Sequence, residues 1–384
     1  MIKNYLLAPG PTPVPPRVLL AMAQPIIHHR TPQFSAIFSE AKEGLREVFR
    51  TGQDVLMLAA SGTGAMEASI TNCFSPGDEV LVINGGKFGE RWTEISAQFC
   101  LKPLELRVPW GQAADPAEVK RLLAERPGIK GVLVQASETS TTAVEPIKEI
   151  AALTRDRDTL LIVDGITGVG VFDLPMDDWS IDVLITGSQK ALMLPPGLGF
   201  LALSERAWAR TKAAKLPRYY FDLNRERDNQ AKNTTAYTPA ISLIIGLREA
   251  LAMIKEEGLD RVFARHERLA RATRAAAMAL GVELVAPTAP SPAATGVFLP
   301  AGIDGGKFVG YLRDKMGVTF AGGQGQWKGK VARIAHLGYM GVFDTIAAIA
   351  ALEMALQHFG QPVELGAGVA AAQRVLLEAL PPRQ

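Results

Sequence analysis

Three short stretches hold residue types that could do chemistry together. Ser61-Gly62-Thr63-Gly64-Ala65-Met66-Glu67 follows the apolar run Asp54–Ala60 and opens a helical pattern. Glycines let a ligand approach the backbone, and a helix N-terminus offers unbonded N–H groups at the positive end of its dipole. Such a turn can seat a phosphate. It is not a P-loop, which needs Gly-Lys-Ser/Thr. Nor is it a dinucleotide fingerprint, which needs a third glycine where Glu67 stands. An ordinary strand–helix connection with a Ser/Thr cap would read the same way. The second stretch, Leu160-Leu161-Ile162-Val163-Asp164, ends an apolar run on a carboxylate. A strand that ends so carries the carboxylate to the sheet edge where open α/β folds keep their ligand crevice. A protonated pyridine nitrogen is a suitable partner there, and a plain turn or cap residue is the alternative. In the third, Val183-Leu184-Ile185-Thr186-Gly187-Ser188-Gln189-Lys190, a lysine follows a further buried run by a few residues. Desolvation lowers a lysine pKa, as a Schiff-base nucleophile requires, whereas a surface loop lysine needs no such setting. Taken together, the stretches provide an anion seat, a partner for a pyridine nitrogen and an amine for an aldehyde. Pyridoxal 5′-phosphate (PLP) requires this set.

The elements that must position these groups follow from the apolar runs. Asp54–Ala60, Val80–Asn84, Gly131–Gln135, Leu160–Asp164, Val183–Thr186 and Gly199–Leu203 are continuous rather than alternating. They predict strands buried on both faces of a mainly parallel sheet. Helical patterns lie between them at Ala65–Phe74, Glu90–Phe99, Pro116–Glu125 and Pro146–Arg155, the last two opening on Pro. Strand, helix, strand in alternation is the α/β signature. The opening stretch Leu7–Pro16, with its many prolines, predicts an extended path that is neither regular helix nor central strand. After Pro239 the texture changes. Long helices are expected at Ile241–Glu257 and Leu259–Leu280, then a strand at Gly296–Leu299 and a helix near Gly305–Lys315. A strand at Val331–His336, a helix at Phe343–Phe359 and a tail helix at Gly368–Leu380 ending in Pro381-Pro382 complete the list. The expected division is an extended N-terminal segment over 1–16, a large domain over 17–255 and a smaller α+β domain over 256–384.

The bulk properties exclude several function classes. The 384 residues are 48% hydrophobic and 21% charged, with a formal net charge of +2. No Lys/Arg block offers a footprint for nucleic acid or an anionic membrane. Arg265-His266-Glu267-Arg268 reads as a solvated helix face. No run has the length of a membrane span, and the N-terminal apolar run is too short for a signal peptide, so a cytoplasmic protein is expected. Cys73 and Cys100 suit neither a disulfide framework nor a metal site, and Cys73 reads as packing. His28-His29 lacks a third ligand nearby, and no metal is expected. His266 and His336 read as packing or surface residues.

On these residues the chain resembles the class V aminotransferases of PLP fold type I, in particular the alanine–glyoxylate and serine–pyruvate branch. The matching features are Pro9-Gly10-Pro11, the Ser61–Gly64 turn, Asn84-Gly85-Gly86-Lys87-Phe88-Gly89-Glu90-Arg91, Glu138-Thr139-Ser140-Thr141 and Val163-Asp164-Gly165-Ile166. To these are added the Gly187-Ser188-Gln189-Lys190 stretch with Pro195-Pro196-Gly197, then Pro239-Ala240-Ile241-Ser242-Leu243 and Val331-Ala332-Arg333-Ile334. The resemblance implies a large domain with a seven-stranded, mainly parallel sheet and a smaller C-terminal domain. It implies that Lys190 binds PLP and shuttles the proton between Cα and the cofactor's C4′, while Asp164 pairs with the pyridinium nitrogen. Phe88 and Ile166 would flank the ring, and Thr139 would lie near its hydroxyl. Thr63, Gly64, Ala65 and Gln189 would hold the phosphate. Arg333 would clamp the substrate carboxylate, with Gly10 also at the substrate. A homodimer with shared active sites is implied, in which Thr235 of one protomer, or Thr234 or Thr238, reaches the other's phosphate. Relatives often carry Trp where Phe88 stands, and His where Ala65 stands.

The resemblance implies transfer of an amino group from a small L-amino acid, alanine or serine, to glyoxylate or pyruvate. A second arginine such as Arg30 at the site would instead admit aspartate. Cysteine desulfurases need a loop cysteine, which Ala321–Gln326 lacks, and favour His where Gln189 stands. Some relatives are described as a small subunit of a soluble hydrogenase, which would make the fold an interaction surface. A pure scaffold would not need every cofactor-anchoring position filled.

Overall fold

The computed structural model of the chain describes residues 2–378. Seven strands form the central sheet, in the spatial order Val55–Ala59, Leu198–Leu203, Val183–Gly187, Leu160–Asp164, Gly131–Gln135, Glu79–Asn84 and Lys102–Arg107. All pair in parallel except Leu198–Leu203, which runs antiparallel to both neighbours. The continuous apolar runs have the cause expected, because successive side chains of a strand point to opposite faces. Met57, Leu161, Val163 and Leu184 pack on one face with the helices Pro32–Phe49 and Ile241–Glu257. Leu56, Leu160, Ile162 and Ile185 pack on the other with Gly62–Cys73. Cys73 lies fully buried in that second layer, where burial pushes its thiol up to about 12.

Lys102–Arg107 (KPLELR) was not among the apolar runs. It is the edge strand, half-exposed along its length, so it has no need of a continuous apolar sequence and tolerates Pro103. The polar helix Leu223–Gln230 was also not expected. Its start is set by Asp222, whose carboxylate accepts from the amides of Asn224 and Arg225. Pro16 corrects the extent of the opening extended path. It is the first residue of the helix Pro16–Met22, a position where its missing N–H costs nothing.

Beyond Gly258, the strands Ala294–Phe298, Val331–Ala335 and Ala321–Gly322 form a small antiparallel sheet. It shares a second core with the helices Leu259–Ala279, Gly305–Met316, Val342–His358 and Ala367–Glu378. The tail helix is thus present, while Leu380, Pro381 and Pro382 lie outside the described residues. Tyr5–Leu6 pairs in parallel with Val318–Thr319, so the N-terminal strand belongs to this part before the chain turns back to the large sheet. The expected solvated face at 265–268 is corrected at His266, which is fully buried. It lies one turn from Leu269 and Ala270 and two turns from Thr273 on the inner side of its helix. Among the described residues no helix is long and apolar enough to cross a membrane.

Candidate active site

The carboxyl ends of the parallel strands bring the three stretches together. Asp164 is the last residue of its strand and only 4% exposed. One carboxylate oxygen accepts the Ile166 amide at 2.8 Å. Lys190 follows the neighbouring strand, and its Nζ donates to the Pro9 carbonyl at 2.6 Å. The opening segment holds this lysine a second way: the Thr12 hydroxyl donates to Lys190 O at 2.9 Å and the Thr12 amide to Gln189 O at 3.1 Å. A methyl group on Gly10 would lie 2.0 Å from Lys190 Nζ and would displace the amine, and the φ of +149° there also disfavours a side chain.

The expected anion seat lies at the start of the helix Gly62–Cys73. Ser61 is its N-cap but makes no side-chain cap bond, and the amides of Gly62, Thr63 and Gly64 have no helical acceptor. The Ala65 amide already donates to Ser61 O at 3.2 Å, so Ala65 contributes packing rather than a free donor. Ile166 presses on Gly62, where a methyl group would lie 2.4 Å from its Cδ1. Gln189 Oε1 reaches the same turn and has no hydrogen-bond partner, although it is buried. An orphaned acceptor beside unspent donors marks a place built for a further group.

Two more elements close the site. Phe88 opens the helix Lys87–Gln98, whose first amides are satisfied from a distance. Glu138 accepts from Phe88 N at 3.0 Å and from Gly89 N at 3.1 Å. A buried carboxylate thus caps the helix that carries the ring. Arg333, buried on the small sheet, donates through Nη1 to Thr139 O at 2.7 Å. Through Nε and Nη2 it donates to Gly322 O at 3.1 and 2.9 Å. The Thr139 hydroxyl shares a 2.8 Å bond with Thr167.

Burial sets the charges. It pushes the Asp164 carboxyl up to about 7, against the Ile166 amide, while Glu138 adds to the rise and Arg91 and Lys190 oppose it. Burial, helped by Arg333 and then Arg91, lowers the Lys190 amine to about 8, with Asp164 opposing. Burial also lowers Arg333 to about 10 and raises Glu138. An amine near neutrality beside an acid near neutrality is a reactive pair at physiological pH.

Gly10, Thr63, Gly64, Phe88, Thr139, Asp164, Ile166, Gln189, Lys190 and Arg333 therefore stand about one edge. Thr235 does not. It is buried in its own chain with its hydroxyl donating to Tyr237 O, whereas Thr238 is exposed and Thr234 accepts from Arg30. His28 and His29 stack on each other at 4.7 Å, and among the described residues no group of three His, Cys, Asp or Glu is placed to hold a metal. His266 and His336 are packing residues, each buried and hydrogen-bonded. Roles for Glu138, Thr12 and the Pro9 carbonyl were not anticipated. The available signal for Glu138 was its place in an unbroken polar run, Ser137–Thr142, directly after a buried strand.

The sequence profile of the family Aminotransferase class-V matches residues 4–327. The soluble hydrogenase 42 kDa subunit of Anabaena cylindrica is 43% identical over 378 residues, covering 97% of this chain and 98% of that one. The L-aspartate–glyoxylate aminotransferase of Paracoccus denitrificans is 38% identical over 381 residues, covering 97% and 96%. The crystal structure of ureidoglycine–glyoxylate aminotransferase from Bacillus subtilis superposes with a TM-score of 0.92 at 30% identity, covering 98% and 99%. With this match running over most of its length, the chain belongs to the class-V aminotransferases, PLP-dependent enzymes of fold type I.

Proposed function

We propose that this protein transfers the amino group of a small L-amino acid, alanine or serine, to glyoxylate or pyruvate. The observation that carries the reading is the convergence of Lys190, Asp164 and the Ser61–Gly64 turn, each with bonding capacity unspent. The residues fit PLP on their own chemistry. The amides of Gly62–Gly64 with Thr63 suit its phosphate, Asp164 its ring nitrogen and the Lys190 amine its aldehyde. When bound, PLP supplies an electron sink that stabilises negative charge at the donor's Cα.

The chain's own groups do the rest. Arg333 holds the donor's α-carboxylate, and the bonds from Arg333 to Thr139 O and Gly322 O fix its plane beforehand. Lys190 Nζ, lowered to about 8 by burial, takes the Cα proton in its uncharged form. The Asp164 carboxylate keeps a positive charge on its ring partner, which favours its own ionised form. Glu138, through two amides, fixes the helix start that carries Phe88, the residue that would flank the ring. Arg333, fixed by its bonds to Thr139 O and Gly322 O, offers one carboxylate clamp, which favours a donor with a single carboxylate.

The reading includes a homodimer, in which the 233–239 stretch of one protomer completes the other's phosphate seat. It also includes the cytoplasm, where an exposed free thiol such as Cys100 stays reduced. A second donor, aspartate, is favoured by the 38% identical relative that uses it. The test is the visible spectrum of the protein with PLP, then with L-alanine or L-serine, then with glyoxylate. The expected course is a yellow band that bleaches with donor and returns with acceptor, and that is absent in Lys190→Ala. A protein that takes up no PLP would favour a scaffold role, as the hydrogenase-subunit name suggests for the relative that carries it. Steady-state rates across donors decide the rest, and activity confined to dicarboxylic donors would overturn alanine and serine.

A further inference from the structure

Arg91 stands at the anion seat without a carboxylate partner. It lies one turn into the helix Lys87–Gln98, three residues after Phe88, so the two side chains share a helix face. Its guanidinium carbon is 4.9 Å from the Phe88 ring centroid, and its Nη1 donates to Thr63 Oγ1 at 3.1 Å. A guanidinium has five N–H donors, and among the described residues Thr63 Oγ1 is the one acceptor it finds. Other partly buried arginines are paired with a carboxylate, such as Arg206 with Asp182 and Arg265 with Glu257.

We propose that Arg91 is the cationic member of the phosphate seat, binding the PLP phosphate directly and turning the Thr63 hydroxyl toward it. The inference rests on PLP being the cofactor of this site. Because Thr63 Oγ1 accepts from Arg91, its own proton is free to donate to an anion. The three amides at the helix start amount to about half a positive charge, whereas a phosphate monoester carries −1.5 to −2 near neutral pH. A full cation with a planar fork of donors closes most of that gap, which a lysine point charge does less well. Arg91 also acts over the whole pocket, since it pulls down both the Asp164 carboxyl and the Lys190 amine. Its contact with the Phe88 ring would tie the stacking residue to the phosphate, so that one helix sets two edges of the cofactor.

The alternative is that Arg91 merely supports Phe88. Equilibrium binding of PLP and of pyridoxal, which has the same ring and aldehyde but no phosphate, separates the two. In Arg91→Met the PLP dissociation constant should rise about 10- to 100-fold, the range for a lost charge-assisted hydrogen bond. Pyridoxal affinity should stay within about twofold, because the lost contact is to the phosphate. Arg91→Lys, which keeps the charge and the helix face, should recover part of the preference for PLP. Equal losses for the two ligands, or an unchanged ratio in both variants, would overturn the proposal while leaving the aminotransferase reading intact. Wild-type protein that binds neither ligand would overturn both.

Discussion

Asp164 and Asp182 are buried carboxylates of one sheet, 4% and 2% exposed, placed at opposite ends of adjacent strands. Asp182, just before Val183–Gly187, is saturated. It accepts from Leu161 N and Ser204 Oγ at 2.8 Å each and from Arg206 Nε and Nη2 at 3.0 and 2.5 Å. Asp164 accepts one amide from the protein, and its carboxyl is driven up to about 7 by burial. The residue type, burial and sheet are the same, but at the amino edge the bonding is complete and at the carboxyl edge it is left open. The saturated group staples strands, and the open one has the unspent bonding that the proposed cofactor would use, because an unmatched buried charge is costly.

The largest break in that contrast should come from Lys190→Ala. It removes the amine altogether, and kcat should fall by about 10⁴-fold in steady-state assays, the upper range for lost proton-transfer groups. Next comes the pair itself. Asp164→Asn should lower kcat by about 10²-fold while changing stability by less than about 1 kcal/mol, since little in the protein binds that carboxylate. Asp182→Asn should do the reverse. Denaturant titration should show a loss of about 2 kcal/mol, moderated because Arg206 is about a third exposed, with kcat of the folded protein within about twofold of wild type. A stability loss at Asp164 as large as at Asp182 would dissolve the distinction.

His266 extends the comparison to a base. Its ring joins Val171 O and Gly338 N across the two cores, and burial holds its pKa down to about 3. The fold excludes a proton that the unfolded chain takes up below its usual 6.5. Stability from this group is therefore full above pH 6.5 and lost as pH falls toward 3. Between pH 7 and 5 the wild type should lose about 2 kcal/mol more than His266→Gln, read from the two unfolding curves. The smallest effect belongs to the open edge. With Lys190 lowered to about 8, the rate of PLP uptake should climb roughly tenfold from pH 7 to 9 and level off above 8, followed by stopped-flow absorbance. A profile still rising steeply at pH 10 would mean an amine that the pocket has not desolvated.

The sheet, apart from its edge strand, was legible in the sequence, because strands buried on both faces must be continuously apolar and the runs ending near Asp164 and Lys190 are. The groups at those strand ends were legible for the same reason: a charged residue that terminates a buried run has one place to go. Lys102–Arg107 was not, since an edge strand carries no such constraint. The 265–268 run read as a wholly solvated face because four polar letters in a row conceal that His266 faces inward. What only the tertiary structure decided is who meets whom. Pro9 lies under Lys190, Glu138 caps the helix of Phe88, Thr139 orients Arg333 and Arg91 reaches Thr63. Local pattern by itself determined burial and period, because these depend on neighbours a few residues away. Hydrogen bonds between residues 28 to 194 positions apart depend on the order in which the strands are laid side by side, and no local pattern encodes that order.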